Sequence, residues 1–355
     1  MGRTVIALSG GVDSAVAATL LQEAGHDLIG VTLRLWPKSR CCDEQDIEDA
    51  AELCELLGIP YQVLDYRERF RQEVVDPFIG EYHAGRTPNP CTRCNQLLKF
   101  GALWEEALTL GGELLATGHY VRWQGGDSPQ LLRGKDSRKD QSYFLYAIDR
   151  QILPRLRFPL GGLQKEEVRA IAKKRGLPVA RKAESQDICF VAGDYRTFLL
   201  EQKPEGEGFH PGEIVHMDGH TIGHHAGIVH FTVGQRRGVG GGNQEPLYVL
   251  GLDAKRREVR VGPATALMAQ EFPIEQCNWL QSWSAGHLER VQVKLRYASP
   301  PVWATLQLLE GQWAKVQLDA PQRAITPGQA AVCYAGDRLL GGGIIAKLGS
   351  GPHPG

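Results

Sequence analysis

The chain has 355 residues, 42% hydrophobic and 23% charged, with a formal net charge of −1. That length can bury substantial cores in two or three domains, while the balanced charge excludes a surface uniformly coated for nucleic acid. No apolar run is long enough to span a bilayer and no charged N-terminal region leads into a signal segment, so the expected setting is cytoplasmic, with no membrane partner.

In chain order, Val5-Ile6-Ala7-Leu8 reads as a buried strand that runs into Ser9-Gly10-Gly11-Val12-Asp13-Ser14 and then into an Ala/Leu-rich helix ending at Gly25. Helix-start amides, two glycines and two hydroxyls in such a turn suit a phosphate or pyrophosphate. The Walker and dinucleotide glycine patterns are both missing, so neither ordinary P-loop chemistry nor hydride transfer is suggested. The loop resembles the S-G-G-x-D-S pyrophosphate loop of ATP pyrophosphatases; the plain alternative is a βα turn that only packs.

A second strand is expected over Asp27 to Leu33, a helix over Asp43 to Leu57 closed by Gly58, and a third strand over Tyr61 to Asp65. A helix over Glu68 to Tyr82 and a strand from Leu114 to Thr117, running into Gly118-His119, follow. Alternating strands and helices predict an α/β fold with a doubly wound parallel sheet, its ligand beyond the strands' carboxyl ends. A hairpin is expected across Gly125 to Pro129, a loop over Lys135 to Gln141, a basic amphipathic helix over Gln164 to Arg175 and a short helix near Tyr195 to Leu200.

After Glu201 strand-like runs such as His230 to Val233 and Tyr248 to Leu252 replace helical periods. From Glu271 onward, runs at Val291 to Arg296, Trp303 to Leu309, Ala314 to Leu318 and Ala330 to Tyr334 predict an antiparallel β-barrel or sandwich. The expected division is a catalytic domain over 1–200, a small β-rich central domain over 201–268 and a C-terminal β-barrel over 269–355.

The eight cysteines are expected as thiols, and paired ones read as catalytic or metal-binding. In Pro88-Asn89-Pro90-Cys91-Thr92-Arg93-Cys94-Asn95, Cys94 falls where a helix to about Leu108 is expected to begin, which stabilises a thiolate. Cys91-x-x-Cys94 is equally half of a zinc or iron-sulfur site, and Cys189 is the candidate third thiol. Charge is uneven: twelve Asp/Glu face three Arg between Cys41 and Tyr82, whereas fourteen Lys/Arg face five acids between Arg133 and Lys182. The basic block suits a polyphosphate backbone, or equally a solvated helix face.

Five motifs occur in order: S-G-G-V-D-S, the G-R-T-P-N-P-x-x-x-C-N-x-x-x-K-F stretch from Gly85 to Phe100, A-T-G-H-Y at Ala116 to Tyr120, K-D-Q-S-Y-F-L at Lys139 to Leu145, and E-S-Q-D-I-C-F at Glu184 to Phe190. Together they resemble the tRNA-specific 2-thiouridylase family, which replaces the C2 oxygen of the wobble uridine with sulfur. Further matches at Arg296-Tyr297 and Thr326 to Gln329 extend the resemblance over almost the whole chain.

The resemblance implies ATP bound through Ala7, Leu8, Ser9, Gly10, Gly11, Val12, Asp13 and Ser14, with its adenine near Leu33 and Gly118. Mg²⁺ is expected with the phosphates, Asp13 being a candidate ligand or orienter. It also implies a Cys189 persulfide as sulfur source and Cys94 as the resolving thiol, leaving a Cys94–Cys189 disulfide. Asn89, Pro90, Cys91, His119, Lys139, Asp140 and Gln141 match positions around the flipped uridine, and Arg296, Tyr297 and Gln329 match contacts to the anticodon arm. A cysteine desulfurase or sulfur-relay protein is the implied donor to a monomeric enzyme.

One departure stands out: Cys91 occupies the place where family members often carry Asp. Three thiols then also fit a [4Fe-4S] cluster on Cys91, Cys94 and Cys189, an alternative to the persulfide. The rival functions are another ATP pyrophosphatase, such as an amidotransferase-coupled synthetase, and a nonenzymatic RNA-binding protein with a zinc knuckle. Elsewhere Cys54, Cys277 and Cys333 read as packing residues, Cys41-Cys42 as exposed thiols, and His224, His225 and His230 as part of a polar loop. Trp279, Trp283, Trp303 and Trp313 are expected to fill the barrel core.

Overall fold

Val5 and Ile6 are fully buried in β1 (Arg3–Ala7), the middle strand of a five-stranded parallel sheet. The computed structural model describes residues 2–37, 43–182, 188–239, 246–347 and 349–351. It comprises two units, one of Met1–Val74, Cys91–Val191 and Gly336–Leu340, the other of Val75–Pro90, Ala192–Ala335 and Gly341–Gly355.

In the first unit β1 lies between β2 (Asp27–Arg34) and β4 (Leu114–Ala116), with β3 (Tyr61–Asp65) outside β2 and β7 (Leu156–Arg157) outside β4. All four pairings are parallel. The chain leaves β1 and β4 on diverging paths, and the crevice of such a sheet opens beyond the carboxyl ends of those two strands. The hairpin β5 (Val121–Gln124) and β6 (Gln130–Arg133) follows β4, and Arg338 pairs with Leu132 at its edge.

Helix α1 (Val12–Glu23) buries eight of its twelve residues, because small Ala side chains let it lie close on the sheet. It packs in one core with α2 (Glu44–Leu57) and α3 (Lys165–Lys174) through Val16, Leu21, Leu53, Cys54, Val168 and Ala172. Asp43 caps α2 with a capping box to Asp46, and Gly58 ends it at φ +63°. Close approach fixes Gly30, where a Cβ would sit 2.5 Å from the Cys54 sulfur. Burial pushes the Cys54 thiol up to about 12, as expected for a packing cysteine.

The second unit holds two β-structures. In the first, β8 (Gly212–His216), β9 (Thr221–His225), β10 (Tyr248–Asp253) and β11 (Glu258–Gly262) run in the order β10-β11-β8-β9 around Ile214, Val249, Val259 and Val261. In the second, β12 (Met268–Trp279), β13 (Leu288–Lys294), β14 (Val302–Leu308), β15 (Ala314–Arg323), β16 (Ala330–Ala335) and β17 (Arg338–Ile345) follow the order β12-β15-β14-β13-β16-β17. Pairing of β12 with Gly341 to Ile345 closes the antiparallel barrel, which removes its open edges. Helices Asp76–His83 and Tyr195–Gln202 meet through stacked Tyr82 and Tyr195 rings, 4.7 Å apart.

Several local expectations need correction. The helix expected over Glu68 to Tyr82 is interrupted by a π-helical turn at Arg71–Val75. His230 to Val233 is not a strand: Ile228–His230 is a 3-10 turn that points Ile228 and Val229 into the core. His224 and His225 lie on β9 rather than in a loop. The four tryptophans do not fill the barrel, since none is buried and Trp303 is 49% exposed. Its interior is Val291, Val293, Ala304, Leu306, Val316 and Val332, small and branched side chains that fit a narrow closed barrel. Cys277 and Cys333 are buried, with Cys333 pushed up to about 12 by desolvation and Cys277 further. Cys41 and Cys42, and Glu184 to Asp187, lie outside the described residues.

Candidate active site

The turn between β1 and α1 is held by its own serines. Ser9 N donates to Ser14 Oγ at 3.1 Å, and Ser14 Oγ donates to Gly11 O at 3.1 Å. Gly10 adopts φ +65°, and a Cβ there would lie 2.3 Å from Asp46 O on α2. Gly118, after β4, approaches equally closely, a Cβ meeting Ser14 N at 2.9 Å. Glycine at both positions therefore lets three segments meet around the start of α1, where amides and helix dipole favour an anion.

The adjoining cleft, about 190 Å³, is lined by Ala7, Leu8, Ser9, Asp13, Ser14, Leu33, Thr117, Gly118, His119 and Gln141, among others. Ten sequence-predicted or neighbouring positions from four separated stretches thus share one wall. Val31, Leu35 and Leu103 add an apolar side that suits a flat ring, and Lys99 adds a cation. Lys99 comes from the π-helical stretch Asn95–Ala102, a distortion frequent at functional sites.

Asp13 is not an open carboxylate. Lys165 Nζ donates to Oδ1 at 2.7 Å and to Oδ2 at 2.8 Å, and Tyr120 Oη donates to Oδ1 at 2.7 Å. It is the one acid among the residues lining the cleft, so the lining is not arranged to ligate Mg²⁺ directly. Lys165, Tyr120 and Lys99 were not legible as site residues from sequence. Lys165 looks like one more cation on a basic helix, and its partner lies 152 residues away.

His119 packs against the touching rings of Phe100 and Phe158, with centroids 5.7 and 6.4 Å away, and shares a 2.8 Å hydrogen bond between Nδ1 and Thr117 Oγ1. Desolvation, helped by Lys99, holds its pKa well below the usual histidine value, so the ring is neutral. Asp140 is buried and accepts from Gly134 N, Ser142 N and Ser142 Oγ. It shapes the loop in which Gln141 Oε1 accepts from Tyr120 N at 2.9 Å.

The helix carrying the C-x-x-C pair starts at Pro90, not at Cys94, because proline is tolerated at a first helical position. Cys94 is therefore its fifth residue and buried, while Cys91, partly exposed, has the helix-start position. The thiolate argument made for Cys94 applies to Cys91 instead. Cys189 is a partly exposed thiol next to Phe190, which packs on Trp36 and Phe70 and so anchors that segment in the first unit.

In the second unit, Arg296 and Gln329 line a cavity of about 470 Å³ together with Thr87, Thr232, Arg323 and Thr326. Arg296 donates to Ala324 O and to Thr326 Oγ1, and Gln329 Nε2 donates to Thr87 O at 2.8 Å. Tyr297 is exposed beside Lys294, whose Nζ lies 5.4 Å from its ring centroid.

Family models cover nearly the whole chain: a tRNA methyl transferase HUP domain matches residues 2–193, a tRNA methyl transferase PRC-barrel domain 197–263 and an aminomethyltransferase beta-barrel domain 269–345. A tRNA-specific 2-thiouridylase MnmA from Acidithiobacillus ferrooxidans is 59% identical over 345 residues, 97% of this chain and 98% of its own. The chain belongs to the tRNA-specific 2-thiouridylase family. Another member, from Magnetococcus marinus, is 47% identical over 97% of this chain and 98% of its own length. Among solved structures, the U34-tRNA thiolase NcsA from Methanococcus maripaludis with its [4Fe-4S] cluster is 19% identical at a TM-score of 0.36, covering 58% of this chain and 68% of that one. That likeness is too distant to bear on chemistry. No helix among the described residues is long and apolar enough to cross a membrane.

Proposed function

We propose that this protein is a tRNA-uridine 2-sulfurtransferase that thiolates the wobble uridine at the expense of ATP. The observation that carries the reading is the convergence of Ser9, Asp13, Ser14, Leu33, Gly118, His119 and Gln141 on one cleft in a member of the 2-thiouridylase family. ATP lays its phosphates on the start of α1 and its adenine against the apolar wall around Leu33. The uridine O2 attacks the α-phosphorus, pyrophosphate leaves, and C2 now carries AMP as a good leaving group.

Sulfur follows from a Cys189 persulfide. Its terminal sulfur bonds to C2 as the C2–O bond to AMP breaks; Cys94 thiolate then attacks the Cys189 sulfur and breaks the S–S bond. The products are the C2 thiocarbonyl and a Cys94–Cys189 disulfide, which an external thiol reduces. The persulfide is loaded by a cysteine desulfurase or a relay protein. Mg²⁺ would offset charge on the ATP phosphates, while Asp13, with both oxygens on Lys165, serves as orienter.

The target base reaches C2 chemistry only when flipped out of its stack. Asn89, Pro90, Cys91, His119 and Lys139 to Gln141 receive it, with neutral His119 offering a ring nitrogen and Asp140 fixing the loop. Arg296, Tyr297 and Gln329 of the barrel contact the anticodon arm. The division of labour is catalysis in residues 1–200, a central β-module over 201–268 and a tRNA-binding barrel over 269–355, in a cytoplasmic monomer.

A second reading rests on Cys91, a thiol one helical turn from Cys94. Cys91, Cys94 and Cys189 would then hold a [4Fe-4S] cluster, which would supply the sulfur in place of a persulfide. Incubation with unmodified tRNA and ATP, followed by nucleoside mass spectrometry, tests the function: wobble 2-thiouridine and tRNA-dependent pyrophosphate release are expected. Pyrophosphate release indifferent to tRNA would sink it. Anaerobic purification with iron and sulfide analysis separates the two readings, because an iron-free, fully active enzyme excludes the cluster.

A further inference from the structure

Far from the cleft in sequence, the turn joining β8 to β9 gathers His216, Asp218 and His220. Two hydrogen bonds close it, His216 N to His220 O and Gly219 N to His216 O, both 2.9 Å, with Gly219 at φ +100°. The alternating H-x-D-x-H spacing would scatter these residues along a flat strand, but the reversal at Gly219 brings both imidazoles onto the one carboxylate. His216 Nδ1 lies 2.9 Å from Asp218 Oδ2, and His220 Nδ1 lies 2.5 Å from Oδ1. The two rings are 5.2 Å apart and inclined by 37°.

Among the described residues this is the one group of three such side chains whose ligand atoms all lie within 4.8 Å of one another. His216 Nδ1 is shielded from water yet has no hydrogen bond of acceptable geometry. The carboxylate oxygen is near enough but off the line that a ring N–H would need. A simple His–Asp ion pair would align that bond. His216 Nδ1 is thus left without an aligned partner while standing within 4.8 Å of the other two ligand atoms.

We propose that His216, Asp218 and His220 form a binding site for a divalent transition-metal ion, with zinc the best fit. Two imidazole nitrogens and one carboxylate oxygen are borderline ligands of the kind zinc accepts, whereas calcium and magnesium require a shell made mostly of oxygens. The side chains of His220 and Asp218 are 65% and 53% exposed, which leaves access for the ion and room for water at a fourth position. The bound ion would clamp the β8–β9 turn and would have no part in sulfur transfer.

The test uses the full, untagged chain with its thiols alkylated by iodoacetamide, so that cysteines do not compete for the metal. Calorimetric titration with Zn²⁺ is expected to give one ion per chain at micromolar affinity, and Co²⁺ to give visible d–d bands. His216→Ala and His220→Ala should each weaken Zn²⁺ binding by at least about tenfold and remove the cobalt bands. Circular dichroism checks that each variant folds, and Asp218→Asn, which keeps the size of the turn residue, should act in the same direction. Saturation unchanged in the histidine variants, or no binding up to about 1 mM Zn²⁺, would overturn the proposal.

Discussion

Lys165 Nζ grips both carboxylate oxygens of Asp13, at 2.7 and 2.8 Å, from 152 residues away in the chain. The Lys165 side chain is 7% exposed and that of Asp13 34%. The pair ties α3 to the first turn of α1, just where phosphates are expected. Removing one partner leaves the other as an uncompensated charge.

Lys165→Met should therefore cost about 1–3 kcal/mol of stability, less than a fully buried pair because Asp13 is partly wet. It should also raise KM for ATP more than it lowers kcat, since the exposed Asp13 charge repels phosphate. Adding Asp13→Asn should restore part of the stability. Chemical denaturation of the three variants checks this, and additive losses would contradict the coupling.

Gly10 and Gly58 separate backbone strain from steric overlap. Both have positive φ, but a Cβ on Gly58 meets nothing within 4 Å, whereas on Gly10 it strikes Asp46 O at 2.3 Å. Gly58→Ala should cost about 1 kcal/mol, the price of a left-handed conformation. Gly10→Ala should cost at least about 3 kcal/mol and abolish nucleotide binding. Melting curves with and without ATP measure both.

His119 makes a pH prediction. Its folded pKa lies below the unfolded value, so between the two the unfolded chain binds more protons and stability falls as pH drops below about 6.5. His26, His83, His225 and His230 are also held low by burial and add to the same slope. The melting temperature should fall between pH 7 and 5.5, less steeply in His119→Gln. An NMR titration placing His119 near its usual value would refute the assignment.

The cysteines divide by place in the fold rather than by burial, since Cys94 in the first unit and Cys333 in the barrel are both buried. Cys94→Ser and Cys189→Ser should each abolish wobble thiolation, while Cys333→Ser should leave its rate unchanged within about twofold once the folded fraction is corrected for. Cys91→Ala distinguishes the two sulfur schemes: a slowed but active enzyme fits the persulfide, and loss of activity together with bound iron fits the cluster. Nucleoside analysis and iron content are read from the same preparations.

Arg296→Ala should weaken tRNA binding and lower the salt dependence of log K by about one unit if the guanidinium meets a phosphate. Filter binding across a salt series gives the slope. An unchanged slope would remove Arg296 from the backbone contacts.

The parallel sheet, the loop after β1 and the strand runs of the barrel were legible in the sequence because each is a local pattern. Apolar runs broken by Gly-Gly or by helix-closing glycines need no distant partner to be recognised. The helix start at Cys94 was misread because Pro90 begins that helix instead of preceding it. The tryptophans were misplaced because aromatic content says nothing about which face of a strand turns inward.

By itself, then, the sequence determined the family and the order of the main elements. Tertiary structure alone decided that Asp13 is neutralised by Lys165, that His119 is a neutral ring packed against two phenylalanines, and that Asp140 serves its own loop. These are facts of partner and dielectric. A side chain's charge state depends on what is packed against it, and those neighbours come from stretches of chain whose meeting no local pattern records.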